Sequence, residues 1–474
     1  MPNPAIPATG TILRAENGDV IGYDATGLVL RLADRVVEDL ATRLKLPAAA
    51  TAAAEPLPDL PEALDIWAIR RDGDWLAFQG NLPGADLPRG YRRHIEGGAI
   101  VAEARGPLLA ILGIGGARAA LASPGPAAFP YHVFAPADDI GAVGMAGEGE
   151  APATSLLQQL PEQTHEALLA EALLTRRADA RQSLPLIFTR VETDHATTAA
   201  ELGTGKASAN LDRALTNLAA AATRLGTTAQ VLAVTLDYAL EDISGDPVAY
   251  RDGMIALMER ITRSMAKRGL ARPIFLASFD CGTRDITSGP ALQGQWELSW
   301  NHGDHQLVIP CPTYAFALDD TGRLTDQGRR QKAAIGCEAL LAVHAGDPWL
   351  CPTIQLAERA GPDIRLVCAA KEPLVLDAAD PFDAGPMAGF RLDGVTNGAT
   401  LRAVQLDPDD PKALILRCSK RPEGDDLHVA YAHGAAPWTG PYPTNRGALR
   451  DEWSANGLYR WALPVLLRVT DGGL

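Results

Sequence analysis

The sequence predicts an α/β protein in which a parallel, doubly wound sheet is followed by an antiparallel β-sandwich. Strand-length apolar runs alternate with amphipathic helical patterns from about 126 to 346, and after 347 the helices give way to short strands at regular spacing. Near the N-terminus, Asn-Gly and Asp-Gly turns among short strands predict a small β unit. The chain has 474 residues, too many for one ordinary core, and divides by these patterns into residues 1–125, 126–346 and 347–474.

The N-terminal region reads as short strands turning at "NGD" and "ATG", an Ala- and Pro-rich connection "LPAAATAAAEPLPDLPEALD", and a hairpin "DIWAIRRDGDWLAFQG" turning at Asp72-Gly73-Asp74. The α/β region opens on "AFPYHVFAP" and continues through a helical pattern, "ATSLLQQLPEQTHEALLAEALLTRRA", broken at Pro161. "SLPLIFTRV" and "AQVLAVTLDY" are strands flanking a helix that ends at Gly226, where a C-terminal glycine belongs. A helix opened by Asp246 and Pro247 and closed by Gly269 leads to the strand "RPIFLASFD". "HQLVIPCPTYAF" and the closing helix "TDQGRRQKAAIGCEALLAVHAG" complete the region. Doubly wound sheets bind ligands at the carboxyl ends of their strands, which directs attention to loops 135–147, 192–206, 236–246, 279–290 and 317–326.

Composition narrows the partners. The chain carries 58 acidic and 43 basic side chains, a net charge of −15, which repels phosphate backbones and anionic lipid. Its most apolar stretch, "GPLLAILGIGGARAALASPG", is interrupted by Arg118 and by glycines and does not read as a membrane span. The start "MPNPAIPATG" has no signal-peptide pattern, so no cleaved export is expected. Six scattered cysteines read as reduced, buried apolar residues. In "NHGDH", His302, Asp304 and His305 read as surface residues of a turn ahead of a metal site, and no metal or other cofactor is expected.

The order of elements from roughly 130 to 460 resembles the SGNH hydrolases, especially their sialate O-acetylesterase-like branch, in which a flavodoxin-like domain precedes a β-sandwich. Three stretches carry the resemblance: "QVLAVTLDYALEDISGDPVAYRDGMIALMERI", "LQGQWELSWNHGDHQLVIPCPTYAFALDDTGRLTDQGRRQKAAIG" and "DDLHVAYAHGAAPWTGPYPTNRGAL". It implies a serine nucleophile after the first strand, a histidine base before the last helix, an aspartate that orients it and oxyanion donors from a Gly and an Asn. In this chain "APADDIGAVG" sets Asp138, Asp139 or Ile140 at the nucleophile position, and "DDTGRLT" sets Arg323 at the histidine position beside Asp319 and Asp320. A guanidinium keeps its proton at neutral pH and cannot serve as the base.

The resemblance therefore implies a retained fold with lost chemistry. A cleft edged by Asp139, Asp194, His195, Asp237, Glu241, Asp319, Asp320 and Arg323 offers planar polar groups suited to sugar hydroxyls, with Arg323 able to fork onto a sugar carboxylate; the plain alternative is a set of solvated loop side chains. Asp194 and His195 also read as an acid–base pair, although adjacent side chains seldom point at one substrate. Five aromatics from Trp438 to Trp461 (Trp438, Tyr442, Trp453, Tyr459, Trp461) read either as a sugar platform or as packing at the sandwich edge.

The expected function is non-catalytic binding of a bacterial surface polysaccharide. Similar proteins on phages and gene transfer agents act as spikes, which implies cytoplasmic synthesis, a place on a virion-like particle, attachment to other particle proteins through the N-terminal region, and a possible homo-oligomer. Two alternatives stand beside it: an active carbohydrate O-acetylesterase using a serine elsewhere, such as Ser155 or Ser278, and a purely structural particle protein.

Overall fold

The computed structural model describes residues 10–14, 20–24, 27–32, 36, 43, 64–85, 87–283, 289–434 and 440–471. The chain divides into two compact units, residues 1–63 and 64–474. In the first unit β1 (Gly10–Arg14), β2 (Val20–Asp24) and β3 (Gly27–Arg31) form an antiparallel sheet in that order. The "NGD" turn between the first two lies outside the described residues.

The second unit is a mixed α/β body. It opens with a four-stranded antiparallel sheet of β4 (Asp65–Asp72), β5 (Trp75–Asn81), β6 (Arg89–His94) and β7 (Gly97–Ala102). Gly73, at φ +60°, makes the first hairpin turn where the sequence placed it.

The central sheet has seven strands. β8 (Leu108–Gly115), β9 (Val133–Pro136), β10 (Leu157–Gln159), β11 (Ile187–Thr193), β12 (Ala229–Asp237), β13 (Ile274–Ala277) and β14 (Leu307–Val308) lie in the order β10-β9-β11-β8-β12-β13-β14. All neighbours are parallel except β10 at the edge. The first strand is thus β8, at the centre, and the sequence reading that opened this region at 126 is corrected by 18 residues. The cause is legible: "LLAILGIG" is broken by glycines, is followed at once by another and is not preceded by a helix, so its pattern does not announce a parallel strand.

Six helices pack on this sheet: α1 (His165–Asp179), α2 (Ala199–Thr204), α3 (Lys206–Arg224), α4 (Pro247–Ala266), α5 (Gly289–Trp300) and α6 (Asp326–His344). α1 packs on α6, whereas α2 to α5 pack on one another. Local signals set their ends: Thr164, Thr198, Asp246 and Thr325 each accept an amide from the first turn of the helix that follows. Pro161 does more than interrupt a helix. The residues before it form the edge strand β10, and the helix starts at His165.

Beyond 352 the strands form three small sheets. The five-stranded sheet orders Leu401–Leu406, Ala413–Cys418, Asp363–Ala369, Thr353–Ala360 and Thr470–Asp471, the last pairing parallel. Two three-stranded antiparallel sheets complete this part. Inside it Arg460 and Asp451, each at most 1% exposed, pair at 2.6 Å. The Arg460 guanidinium lies 5.3 and 5.6 Å from the rings of Trp349 and Trp453. Trp461 is buried, Trp453 packs on Trp349, and Tyr442 packs on Phe382. The packing alternative for this aromatic cluster therefore holds for its described members; Trp438 lies outside them. All six cysteines are free, and five are buried, where burial lifts Cys281 and Cys351 to about 12.

One carboxyl is held in the core. Glu166, on α1, lies under β8 and accepts a 2.5 Å hydrogen bond from Thr235 Oγ1, while its second oxygen has no partner. Gly113 makes the space, since a Cβ there would stand 2.4 Å from Glu166 Oε1. Burial raises the Glu166 pKa above its ordinary value of 4.5. The folded state therefore prefers the neutral acid; stability is undiminished below the unfolded value and falls as pH rises through it. Glu166→Gln keeps the Thr235 contact and removes the ionisation. Thermal melts from pH 4 to 8 should show the variant equal to the parent at the acid end and higher by roughly 2–6 °C at pH 8; a constant difference across the range would refute the account.

Candidate functional site

The topological switch point lies between β8 and β12, because the chain leaves β8 towards β11 on one side and later returns to β12 on the other. The loop leaving β8 is Gly115-Gly116-Ala117-Arg118. Close approach explains its glycines: a Cβ on Gly115 would lie 2.2 Å from the Asp237 carbonyl, and one on Gly116 would lie 2.8 Å from the Glu241 carboxyl. With no side chain in the way, five charged groups and a histidine converge at the strand ends.

Arg118 turns its guanidinium onto Asp280, in the loop after β13, with NH1 to carboxylate distances of 2.7 and 2.6 Å. Asp280 is 3% exposed and is fixed further by the Gly282 amide at 2.9 Å. Beside it Lys332, on α6, donates to Asp237 at 2.7 Å. Burial opposes ionisation of Asp237, but Lys332, with His165 and Arg118, outweighs it and holds the carboxyl below its ordinary range. Burial likewise works against the charge on Arg118, yet Asp280, Glu241 and Asp237 together raise its pKa.

Glu241 forms no ion pair with a described residue. Its carboxylate accepts from the backbone amides of Arg118 at 3.4 Å and Ala239 at 3.3 Å, and burial, then Asp237 and Asp280, raises its pKa. His165, the first residue of α1, has a buried Nδ1 without a partner, and burial followed by Lys332 lowers its pKa to about 3. It lines a pocket of about 300 Å³, counting the open mouth, with Ser278, Lys332, Cys311, Phe316 and Ile335. The enclosed part holds little more than one water molecule.

Of the residues singled out from sequence, Asp237 and Glu241 reach this point. The others take separate places along the rim. Asp194 accepts the His195 amide at 2.9 Å and the Ala207 amide at 3.0 Å, so it fastens the start of α3, leaving His195 exposed. The reading of these two as an acid–base pair is replaced by this fastening role. Asp139 is exposed at φ +62°, while its neighbour Asp138 is buried and paired with Arg190 at 3.1 Å. Asp319 accepts the amides of Thr321 and Arg323 and organises its own turn, with Asp320 and Arg323 exposed beside it. The Arg323 guanidinium makes no hydrogen bond or ion pair with a described residue, so it does not pair with Asp320.

The rim is nevertheless continuous. Asp194 N bonds Gly115 O at 3.1 Å, Tyr238 Oη bonds Ala196 O at 3.1 Å, Ile243 N bonds Thr197 O at 2.9 Å, and Gly322 backs onto Thr283. Arg118, Asp280, Lys332 and His165 escaped sequence reasoning. The first lay in a stretch examined as a membrane span, and the rest sit in elements whose facing surfaces only the fold defines. One signal was available: "GIGGAR" is a glycine-rich loop leaving an apolar run.

The loop after β8 carries Ala117, and Arg323 stands in the turn before α6. Ser155 accepts from Arg224 Nε at 2.8 Å in a different small pocket, lined by Trp75 and His94. Ser278 lines the His165 pocket.

No family model matches the chain, and no curated protein does. Among solved structures, a carbohydrate acetylesterase from Xanthomonas citri is similar over 97% of this chain and 92% of its own, at 13% sequence identity and a TM-score of 0.48. At those values neither residues nor activity transfer from one chain to the other.

The Arg118–Asp280 pair is open to direct test. Arg118→Ala leaves a nearly buried carboxylate without its cation and should cost about 2–4 kcal/mol in urea unfolding, the guanidinium being partly exposed. Adding Asp280→Asn to that variant should restore most of the loss. An additive double mutant would show that the two groups are not coupled.

Proposed function

We propose that this chain is a non-catalytic glycan-binding protein on an esterase-like body, with a flavodoxin-like sheet followed by a β-sandwich as the working description of that body. The observation that carries the reading is the switch-point loop. It presents Ala117 and an arginine locked onto Asp280, so the loop leaving the central strand offers a ligand no nucleophile. What surrounds it is a rim of planar polar groups, with Glu241 in no ion pair with a described residue and His195 and Arg323 exposed, of the kind that hydrogen-bonds sugar hydroxyls.

The expected ligand class is a bacterial surface polysaccharide. A role on a phage-like particle, with the separate unit of residues 1–63 as the attachment, is part of the proposal on the strength of the sequence resemblance and of that division of the chain.

One observation favours a second reading. Ser278 and His165 line a single pocket with Lys332, and an ester hydrolase needs a hydroxyl, a base and a cationic group for the developing oxyanion. Against it stand the tightness of the pocket and the low basicity of His165. A proton NMR time course with an O-acetylated capsular polysaccharide separates the readings: saturation transfer to sugar protons with no free acetate is the expected result. Acetate that grows with the parent chain and not with Ser278→Ala would establish the hydrolase.

A further inference from the structure

We infer that the surface where α4 meets α5 is a stacking site for a neutral or amino sugar ring, with Trp300 as its platform. This rests on the glycan-binding reading and moves the ligand's principal contact away from the switch point.

Trp300 is the last residue of α5 and is 49% exposed. It is braced from behind: Trp296, one turn earlier, packs edge-on against it with ring centroids 5.4 Å apart at 68°. The Trp296 indole N–H is itself fixed on Ile354 O at 3.1 Å. A rigid, half-bare indole suits the C–H face of a pyranose and costs little ordering on binding. Among the described residues no guanidinium or ammonium covers the ring.

Hydroxyl partners stand beside it. Glu297 is three residues before Trp300, so the two side chains are neighbours on the helix. Glu297 Oε2 accepts from Arg251 NH1 at 3.3 Å, and Arg251 also forks onto Asp252 Oδ1 at 2.9 and 2.8 Å. These bonds occupy one oxygen of each carboxylate, leaving the other to accept from sugar hydroxyls. Asp252 is 61% exposed. Val248, one turn before Arg251 and Asp252 on α4, is also exposed, at 44%.

Two carboxylates and one guanidinium leave this surface with an excess negative charge, within a chain of net charge −15. Neutral and cationic amino sugars are favoured over uronic or sialic acids, the reverse of the choice read from Arg323. One indole and one valine around an ion network are also too little apolar area for a stable protein interface. The two pockets lined by Ser155 and by His165 enclose little more than a water molecule each, too little for a sugar ring.

Saturation-transfer NMR and tryptophan fluorescence with neutral, amino-sugar and uronic-acid oligosaccharides test the site. The parent chain should respond to the first two classes and not to the third. Trp300→Ala should weaken binding at least tenfold and Trp300→Phe less, while Trp67→Ala, at the other half-exposed tryptophan, should bind as the parent does. Unchanged binding by Trp300→Ala with loss in Glu241→Gln would place the sugar at the switch point, overturning this inference and leaving the glycan-binding reading intact. A change in sedimentation on Trp300→Ala would make the surface a protein contact and also overturn it. No response of the parent chain to any sugar would remove the reading itself, and this site with it.

Discussion

The carboxyl edge of the sheet depends on what β8 does not carry. Its end, Gly115 and Gly116, is approached so closely by the Asp237 carbonyl and the Glu241 carboxyl that any side chain there would force the strands or the following loop apart. The space is taken by charge. Arg118 bridges from the β8 loop to Asp280 and Lys332 bridges from α6 to Asp237, so the loops after β8 and β13 and the end of β12 are tied by two ion pairs. Such pairs contribute little net stability when partly buried, but each partner left alone would be expensive. They therefore fix the geometry of the edge more than they strengthen it.

Much of the fold was legible in the sequence because the signals were local. Asp246 with Pro247 at a helix start and Gly73 in a hairpin turn each act within a few residues and were read where they stand. The site was less legible because its members are brought together by the sheet. Asp237 and Glu241 were visible as carboxylates following an apolar strand. Arg118, Asp280, Lys332 and His165 come from four different elements, and no spacing in the chain links them. The misplacement of the first strand had the larger consequence: with the count begun at 126, the loop "APADDIGAVG" stood in for the nucleophile loop, whereas Asp138 there belongs to a buried ion pair with Arg190.

That correction moves one comparison and weakens another idea. The loop to compare is no longer that of Asp138 but the one after β8, whose tip is Ala117. The anionic-sugar idea, by contrast, relied on Arg323 closing over a cleft. Arg323 is exposed on a turn that Asp319 organises for itself, and the two cations inside the edge are already engaged by carboxylates. At the switch point itself, Arg118 and Lys332 are engaged by Asp280 and Asp237 and the carboxylate of Glu241 stands beside them, an arrangement with little attraction for another anion.

Perturbed ionisation marks functional sites and structural networks alike. In this chain burial raises three carboxyls with structural work: Glu166 under the central strand, Glu192 against Arg190, and Asp451 against Arg460. What separates them from a ligand site is access. Each is sealed, whereas Glu241, His195, Asp252 and Trp300 keep surface in contact with water. Exposed groups that are held rigid meet a ligand with little ordering cost. The tryptophan braced by Trp296 and the carboxylates clamped on Arg251 meet both conditions at once, which the solvated aspartates of the rim do not.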